Sequence, residues 1–377
     1  MATARYRGNR TRKLTTVVGP IEYQRACCHC KACRQGFFPK DQAMGLDASA
    51  GSPGVVRMIG QSAARESFAQ SRVWLHELAG VRVSTKQVER TAQRLGKQIS
   101  DLERGDVALE SPPAQTLYRG VDGTGVPMTR QETEGVRGKQ ADGTSRTREM
   151  KVVAVWQCDR FDENDHARTD RTSVTYTAAI ETANSPALAT ELAPFVKRVE
   201  REALRRGFYD ADTQVVLGDG ALWIWQCFAE LFPQAVQILD IYHAKQKVWD
   251  LSKVIYGQGT DTGRQWAETT IEILRAGQIE QLMAILKPFA SMHAEAETAT
   301  GYFARNRKRM RYAEFRAKGL SVSSAVVEAG CKNVVGTRLK RGGMHWSKAG
   351  ANNIAALRST IISNRFDDFW YDRVGNS

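Results

Sequence analysis

Three short strings hold the residues best suited to chemistry: Gly120-Val121-Asp122-Gly123-Thr124-Gly125-Val126-Pro127, Leu217-Gly218-Asp219-Gly220-Ala221 and Val326-Val327-Glu328-Ala329-Gly330-Cys331-Lys332. Each sets one acid among small or apolar neighbours, the first two directly after a short apolar run, in a chain with a formal net charge of +13. A carboxylate in such surroundings is costly unless a cation compensates it. Three of them point to a divalent-metal site for phosphodiester chemistry. Asp-Gly alone is a turn dipeptide, and separations of 97 and 109 residues lie beyond any local motif. Only a fold can unite them.

Asp122, Asp219 and Glu328 could hold two Mg²⁺ or Mn²⁺ ions, one activating the attacking oxygen and one stabilising the leaving oxygen of an in-line displacement. Mg²⁺ suits carboxylates, retains waters and lets substrate phosphate complete its octahedron. Glycines beside Asp122 and Asp219 leave room for a nucleic-acid backbone. Lys332 follows Glu328 by one helical turn and could orient a phosphate. Asp240 and His243, in Leu239-Asp240-Ile241-Tyr242-His243, read in two ways: a proton shuttle or phosphate contact oriented by the aspartate, or the cap and first turn of a helix. Trp223 and Trp225 fit core packing better than base stacking.

The elements that must position these acids read as α/β. Strands are expected at Thr116 to Val121, Met150 to Gln157 and Ser173 to Ile180. A helix follows from Pro186 to Arg206, then a strand at Gln214 to Leu217, a helix at Ala221 to Leu231 and a strand at Val236 to Leu239. That is the order of a ribonuclease H-like core, in which the first and fourth strands are neighbours. Residues 245–318 read as helices, an insertion ahead of a last core helix at Ser323 to Leu339. Gly135 to Arg148, rich in Gly, Lys, Arg and Thr, suits a loop lying against phosphate. Phe161 to Arg171 reads as a polar turn, and Ser111-Pro112-Pro113 as a boundary.

Ahead of the core, Cys30-x-x-Cys33 has the form of one zinc knuckle, whereas a structural zinc ribbon draws four ligands from two. Either Cys27 or Cys28 and His29 complete an irregular Zn²⁺ site, or the other knuckle lies upstream of Met1. The hairpin-like run Ala2 to Gly19 favours the late start. Seven cysteines, four of them within positions 27–33, do not resemble a disulfide framework. Ser52-Pro53 starts a helical stretch, Gly80 to Ser84 turns, and Ser84 caps a helix from Thr85 to Leu102 exposing Lys86, Arg90, Arg94 and Lys97. This is a helix-turn-helix outline suited to DNA. The chain thus divides into a truncated zinc-ribbon-like segment over 1–50, a helical DNA-binding domain over 51–110, the first part of the core over 114–244, the insertion over 245–318, and the last core helix with a C-terminal tail over 319–377.

Charge is unevenly spread: residues 1–47 carry nine Lys and Arg against three acids, and residues 305–349 twelve against two. Two basic blocks fit a long polyanion, double-stranded DNA above all. Lys332, Arg338 and Lys340 in the second block are candidate DNA contacts. No apolar run reaches the ~18–20 residues of a membrane span, and a cytoplasmic, nucleoid-associated protein is expected.

As an ordered set these motifs resemble the Kra-type insertion-sequence transposases, a DDE family similar in catalytic pattern to Mutator-like elements. The resemblance runs over nearly the whole chain: Phe37-Phe38-Pro39, Ser52-Pro53-Gly54-Val55, Val88-Glu89-Arg90, the three acidic strings, Asp240-Ile241-Tyr242-His243-Ala244 and Gly343-Met344-His345-Trp346. It implies that Asp122, Asp219 and Glu328 form the DDE triad and that Asp240 with His243 forms an accessory Asp-x-x-His element. It further implies binding of terminal inverted repeats and a homo-oligomer on two ends. The chain departs from the family in lacking the first cysteine pair, and in having Ser323-Ser324-Ala325 where Gly-rich sequence is more usual.

The leading expectation is therefore a bacterial DDE transposase performing Mg²⁺-dependent cleavage and strand transfer. A ribonuclease H-like nuclease without strand transfer and an inactive or truncated DNA-binding derivative are the alternatives.

Overall fold

The computed structural model describes residues 4–46, 51–110, 114–138, 140–161, 167–170, 172–184 and 191–375. The expected boundary at Ser111-Pro112-Pro113, most of the polar turn from Phe161 to Arg171 and the helix start at Pro186 lie outside the described residues.

In chain order, an antiparallel hairpin of β1 (Ala4–Thr16) and β2 (Gly19–Cys30) is followed by β3 (Gly36–Phe37) and α1 (Pro39–Ala43). Three helices come next, α2 (Pro53–Arg65), α3 (Phe68–Ala79) and α4 (Thr85–Leu102). The α/β part comprises β4 (Thr116–Pro127), α5 (Arg130–Thr133), β5 (Thr147–Phe161), β6 (Ala167–Thr169), β7 (Thr175–Ala179), α6 (Pro194–Arg205), β8 (Thr213–Gly218), α7 (Leu222–Leu231) and β9 (Val236–Leu239). Helices α8 (Ile241–Tyr256), α9 (Asp261–Arg275), α10 (Ile279–Ala290), α11 (Ala294–Asn306) and α12 (Tyr312–Ala317) precede α13 (Ala325–Gly330), a π-helical turn (Cys331–Gly336) and α14 (Thr337–Leu339). The chain closes with α15 (Lys348–Ile362) and α16 (Phe366–Gly375).

Two compact units result: one from Met1–Gly105, Val126–Arg148 and Asn333–Ser377, the other from Asp106–Gly125 and Glu149–Lys332. In the first, the hairpin is fastened to α1 by the buried Asp41, whose carboxylate accepts from Tyr23 Oη at 2.6 Å, Arg12 Nη1 at 2.6 Å and Arg25 Nη1. The helical bundle begins with Pro53 in the first turn after the Ser52 cap. Helix α4 starts with a capping box between Ser84 and Gln87. One face of α4 buries Val88, Ala92, Leu95 and Ile99, while Lys86 and Arg90 stay exposed. Helix α15 lies along that apolar face with small residues such as Ala351 and Ala355 buried. At Gly96 the two helices touch, and a Cβ there would collide with the backbone carbonyl of Asn353. Gly96→Ala is therefore expected to cost about 1–3 kcal/mol by overpacking; a lowered urea midpoint with unchanged m-value checks it.

The second unit is mixed α/β. Its sheet has the order β6-β5-β4-β8-β9, with β7 also on β5, antiparallel from Lys151↔Ala179 to Val155↔Thr175. Strands β4, β8 and β9 are parallel, in registers that include Gly120↔Leu217 and Gly218↔Leu239. Leaving the short β6 aside, the strands rank third, second, first, fourth and fifth across the sheet, an order compatible with a ribonuclease H-like core. Leu117, Tyr118, Val153, Trp156, Val215 and Leu217 are fully buried, which places apolar layers on both faces of this mixed sheet. Tyr118 stacks on Trp156 with centroids 5.6 Å apart, and its hydroxyl accepts from Ser321 N at 3.1 Å. Among the described residues no helix is long and apolar enough to cross a membrane.

Candidate active site

Asp122 and Asp219 meet because of strand register. Gly120 is paired with Leu217 on the parallel neighbour; Asp122 lies two residues beyond the one and Asp219 two beyond the other, just past the end of β8, near enough for their charges to interact. The Asp122 carboxylate accepts from Gly123 N at 2.6 Å and lies 3.5 Å from the Cys331 thiol. Burial pushes its pKa up; the Gly123 amide and the Cys331 thiol oppose this, the charge of Asp219 adds to it, and His243 favours the ionised form. Asp219 follows β8 in a tight turn, its Oδ1 accepting from Ala221 N at 2.8 Å. Gly220 takes φ +95° in this turn, and a Cβ there would stand 2.5 Å from the Tyr302 ring. Tyr302, from α11, donates its hydroxyl to Asp219 O at 2.9 Å. Burial, then the charges of Asp219 and Asp240, hold this phenol in its protonated, donating form.

Glu328 reaches the neighbourhood on α13. This helix packs on the sheet through Val327 against Gly120, Gly330 against Tyr176, and Cys331 against Asp122. Tyr176 Oη donates to Val326 O at 3.2 Å. Glu328 itself is exposed, one turn before Cys331. From Cys331 to Gly336 the turn widens to π-helical, a feature frequent at functional sites. Lys332, exposed like Glu328, stands at the start of this turn.

Asp240 is nine-tenths or more buried and caps α8, Oδ1 accepting from Tyr242 N at 2.6 Å and His243 N at 3.1 Å. Its Oδ2 accepts from Ser324 N and Ser324 Oγ, immediately before α13. Both oxygens are thus engaged in hydrogen bonds that join the start of α8 to the approach to α13. Asp240 meets His243 through the backbone amide; the imidazole, exposed in the first turn of α8, lies near Asp122. Ser324, Cys331 and Tyr302 are functional neighbours that the sequence alone does not single out. For Cys331 a signal exists, since it stands one helical turn after Glu328; for Tyr302, 83 residues from Asp219, there is none.

The donors suit a hard cation. Asp122 and Asp219 offer carboxylate oxygens in a half-buried place where their charges repel. Among the described residues no three His, Cys, Asp or Glu side chains gather closely enough to form a complete protein cage. Glu328, exposed on α13, is thus not gathered with Asp122 and Asp219 into a three-acid cluster among the described residues. The raised carboxyl of Asp122 also bears on stability. The native state holds its proton more tightly than the unfolded chain, so in chelator stability falls as pH rises through the raised folded value, and the cost persists at neutrality. In EDTA at pH 7, Asp122→Asn is expected to melt above the parent, and Mg²⁺ to raise the melting temperature of the parent alone.

The other expected site residues are scattered. Cys30 and Cys33 form one knuckle, in which the Cys33 backbone amide draws the Cys30 thiol down in pKa. Side chains alternate along β2, so His29 points away from Cys30. Among the described residues no three His, Cys, Asp or Glu side chains gather into a Zn²⁺ set. Lys86, Arg90, Lys332 and Lys340 are exposed, while Arg94 is half-buried. Arg338 does not belong with the DNA contacts: it is fully buried, its Nε donates to Ala63 O at 2.9 Å, and its guanidinium lies over Phe68 and Trp346. Trp225 is buried beneath the Arg309 guanidinium, 4.3 Å from its ring, and Trp223 meets Phe195 edge-on, as core packing requires.

No protein-family model matches the chain, and no curated protein matches it. Among solved structures it is similar to a chain of the "Drosophila P element transposase strand transfer complex", with 9% sequence identity, 88% of this chain and 83% of that chain covered, and a TM-score of 0.28. A likeness that slight carries no argument about fold or activity.

Proposed function

We propose that the chain is a DDE-type transposase of an insertion sequence, which binds the element's terminal inverted repeats and performs divalent-cation-dependent strand cleavage and strand transfer. The observation that supports this reading is that Asp122, on β4, and Asp219, in the turn directly after the paired parallel strand β8, lie near enough for the charge of Asp219 to act on Asp122, while Cys331, which follows the helix bearing Glu328, lies 3.5 Å from the Asp122 carboxylate. When bound, Mg²⁺ or Mn²⁺ supplies Lewis acidity to the attacking and leaving oxygens. Asp122 and Asp219 would hold the cation, with Glu328 as the third carboxylate of the group. The Asp219 turn, pinned by Tyr302, orients its free carboxylate oxygen, while His243 and Lys332 face the phosphate. A homo-oligomer assembles on two DNA ends.

The test incubates the protein with duplexes carrying the element's ends, a plasmid target and Mg²⁺ or Mn²⁺, scoring cleaved 3′-hydroxyl ends and joined product. Both products are expected. Hydrolysis without joining would make the chain a nuclease, and binding without either product a DNA-binding protein.

A further inference from the structure

Past β4, the chain from Met128 to Arg146 folds back on itself. Met128 N donates to Arg146 O at 3.1 Å, Gly138 N to Gly143 O at 2.9 Å and Gln140 N to Thr144 O at 3.2 Å. The Gly343-Met344-His345-Trp346 string is strapped alongside: Trp346 N donates to Pro127 O at 3.1 Å and Thr129 N to Trp346 O at 2.9 Å. Together they enclose a cavity of about 790 Å³ lined by Arg130, Arg137, Arg146 and His345. All four are exposed.

The two acids on the wall do little to neutralise them. Asp142 turns its Oδ1 to the amide and hydroxyl of Thr144, at 3.0 and 2.7 Å, with Arg146 adding to its ionisation only at longer range. Glu134 is exposed at the loop surface. Among the described residues none of the three guanidinium groups makes an ion pair with a carboxylate. Three arginines on the lining of one concavity suit an anion, and arginine's planar fork matches phosphate oxygens bidentately. The volume lies within the ~300–1,000 Å³ of small-ligand clefts, enough for a phosphate with its sugar and too little for a duplex. The backbone of one strand can enter while its partner stays outside.

We propose that this cavity grips the phosphodiester backbone of the DNA substrate, with Arg130, Arg137 and Arg146 as its phosphate contacts. The inference rests on the proposed function for its choice of DNA as the phosphate source.

Binding of a fluorescent 30-base-pair duplex to the full chain, followed by anisotropy in EDTA between 50 and 200 mM salt, tests it without cleavage. Arg130→Ala/Arg137→Ala/Arg146→Ala is expected to weaken binding at least about tenfold at the lowest salt, and to flatten the plot of log affinity against log salt by ~0.9 for each phosphate no longer neutralised. The matching triple Lys variant is expected to restore most of the slope. The substituted side chains are exposed, and an unchanged melting temperature verifies folding. Unaltered affinity and slope in the Ala variant would overturn the inference, as would weakened binding with an unaltered slope. Competition by millimolar inorganic phosphate that abolishes the difference between parent and variant, with the slope intact, would assign the cavity to free phosphate and overturn it too. A parent that binds no duplex sinks the transposase reading itself, and a parent that binds while the Ala variant binds equally sinks the cavity alone.

Discussion

Asp219→Asn is expected to lower both cleaved and joined product by at least about 10³-fold, roughly 4 kcal/mol of barrier, while leaving duplex affinity nearly intact. Asparagine retains Oδ1, which accepts from Ala221 N and holds the turn after β8, so the fold tolerates the change. What it removes is the negative charge that the proposed cation would need beside Asp122. The loss should therefore appear in the maximal rate at saturating DNA. Mn²⁺, which binds a given donor set more tightly than Mg²⁺, should rescue a small part of it. Product from Asp219→Asn at the parent's rate would remove the residue from the chemistry.

Asp240→Asn is expected to act by another route. Four donors converge on this buried carboxylate, the amides of Tyr242, His243 and Ser324 and the Ser324 hydroxyl. Asparagine has one acceptor oxygen and turns an NH₂ toward two of those donors. A buried group left unsatisfied costs about 1–3 kcal/mol, and here the cost falls on the joint between α8 and the approach to α13. The variant should unfold at a denaturant midpoint lower by about 2 kcal/mol of stability. Cleavage should also fall at temperatures where it remains folded, because the helix bearing Glu328 loses its anchor. A variant with parental stability and no activity would instead give Asp240 a direct part in the reaction.

Much of the scaffold is legible because its signals are local. Ser84 with Gln87 three residues on is a capping box, and the helix runs from Thr85 to Leu102 where that box and the apolar spacing place it. The apolar runs before Asp122 and Asp219 are strands β4 and β8. The β-prone stretches in the first thirty residues extend further than their composition suggests. Arg5, Arg7, Arg10 and Arg12 give no apolar alternation, because much of the hairpin is open to solvent and is held by backbone pairing from Ala4↔Cys30 to Thr16↔Gly19.

What stays hidden in the sequence depends on distance and depth. Within 319–377, read as the last core helix and a C-terminal tail, no local signal announces that α15 packs on α4, where Gly96 meets the Asn353 backbone. Arg338 reads as a DNA contact because composition registers a charge and not its exposure; its guanidinium is buried over Phe68 and Trp346. The π-helical turn from Cys331 to Gly336 leaves no mark in the spacing of the sequence. At the site, the two aspartates stand out by their setting after apolar runs, whereas Ser324 and Tyr302 act through contacts that no nearby residue announces.

The central claim is that Asp122 and Asp219 share a divalent cation. Crystals of the full chain soaked in MnCl₂, with data recorded at the manganese absorption edge, address it most directly. The account predicts an anomalous peak about 2.0–2.2 Å from a carboxylate oxygen of each aspartate, absent from Asp219→Asn crystals. Manganese bound elsewhere with no peak between the two carboxylates, under conditions in which the same preparation cuts DNA, would contradict it.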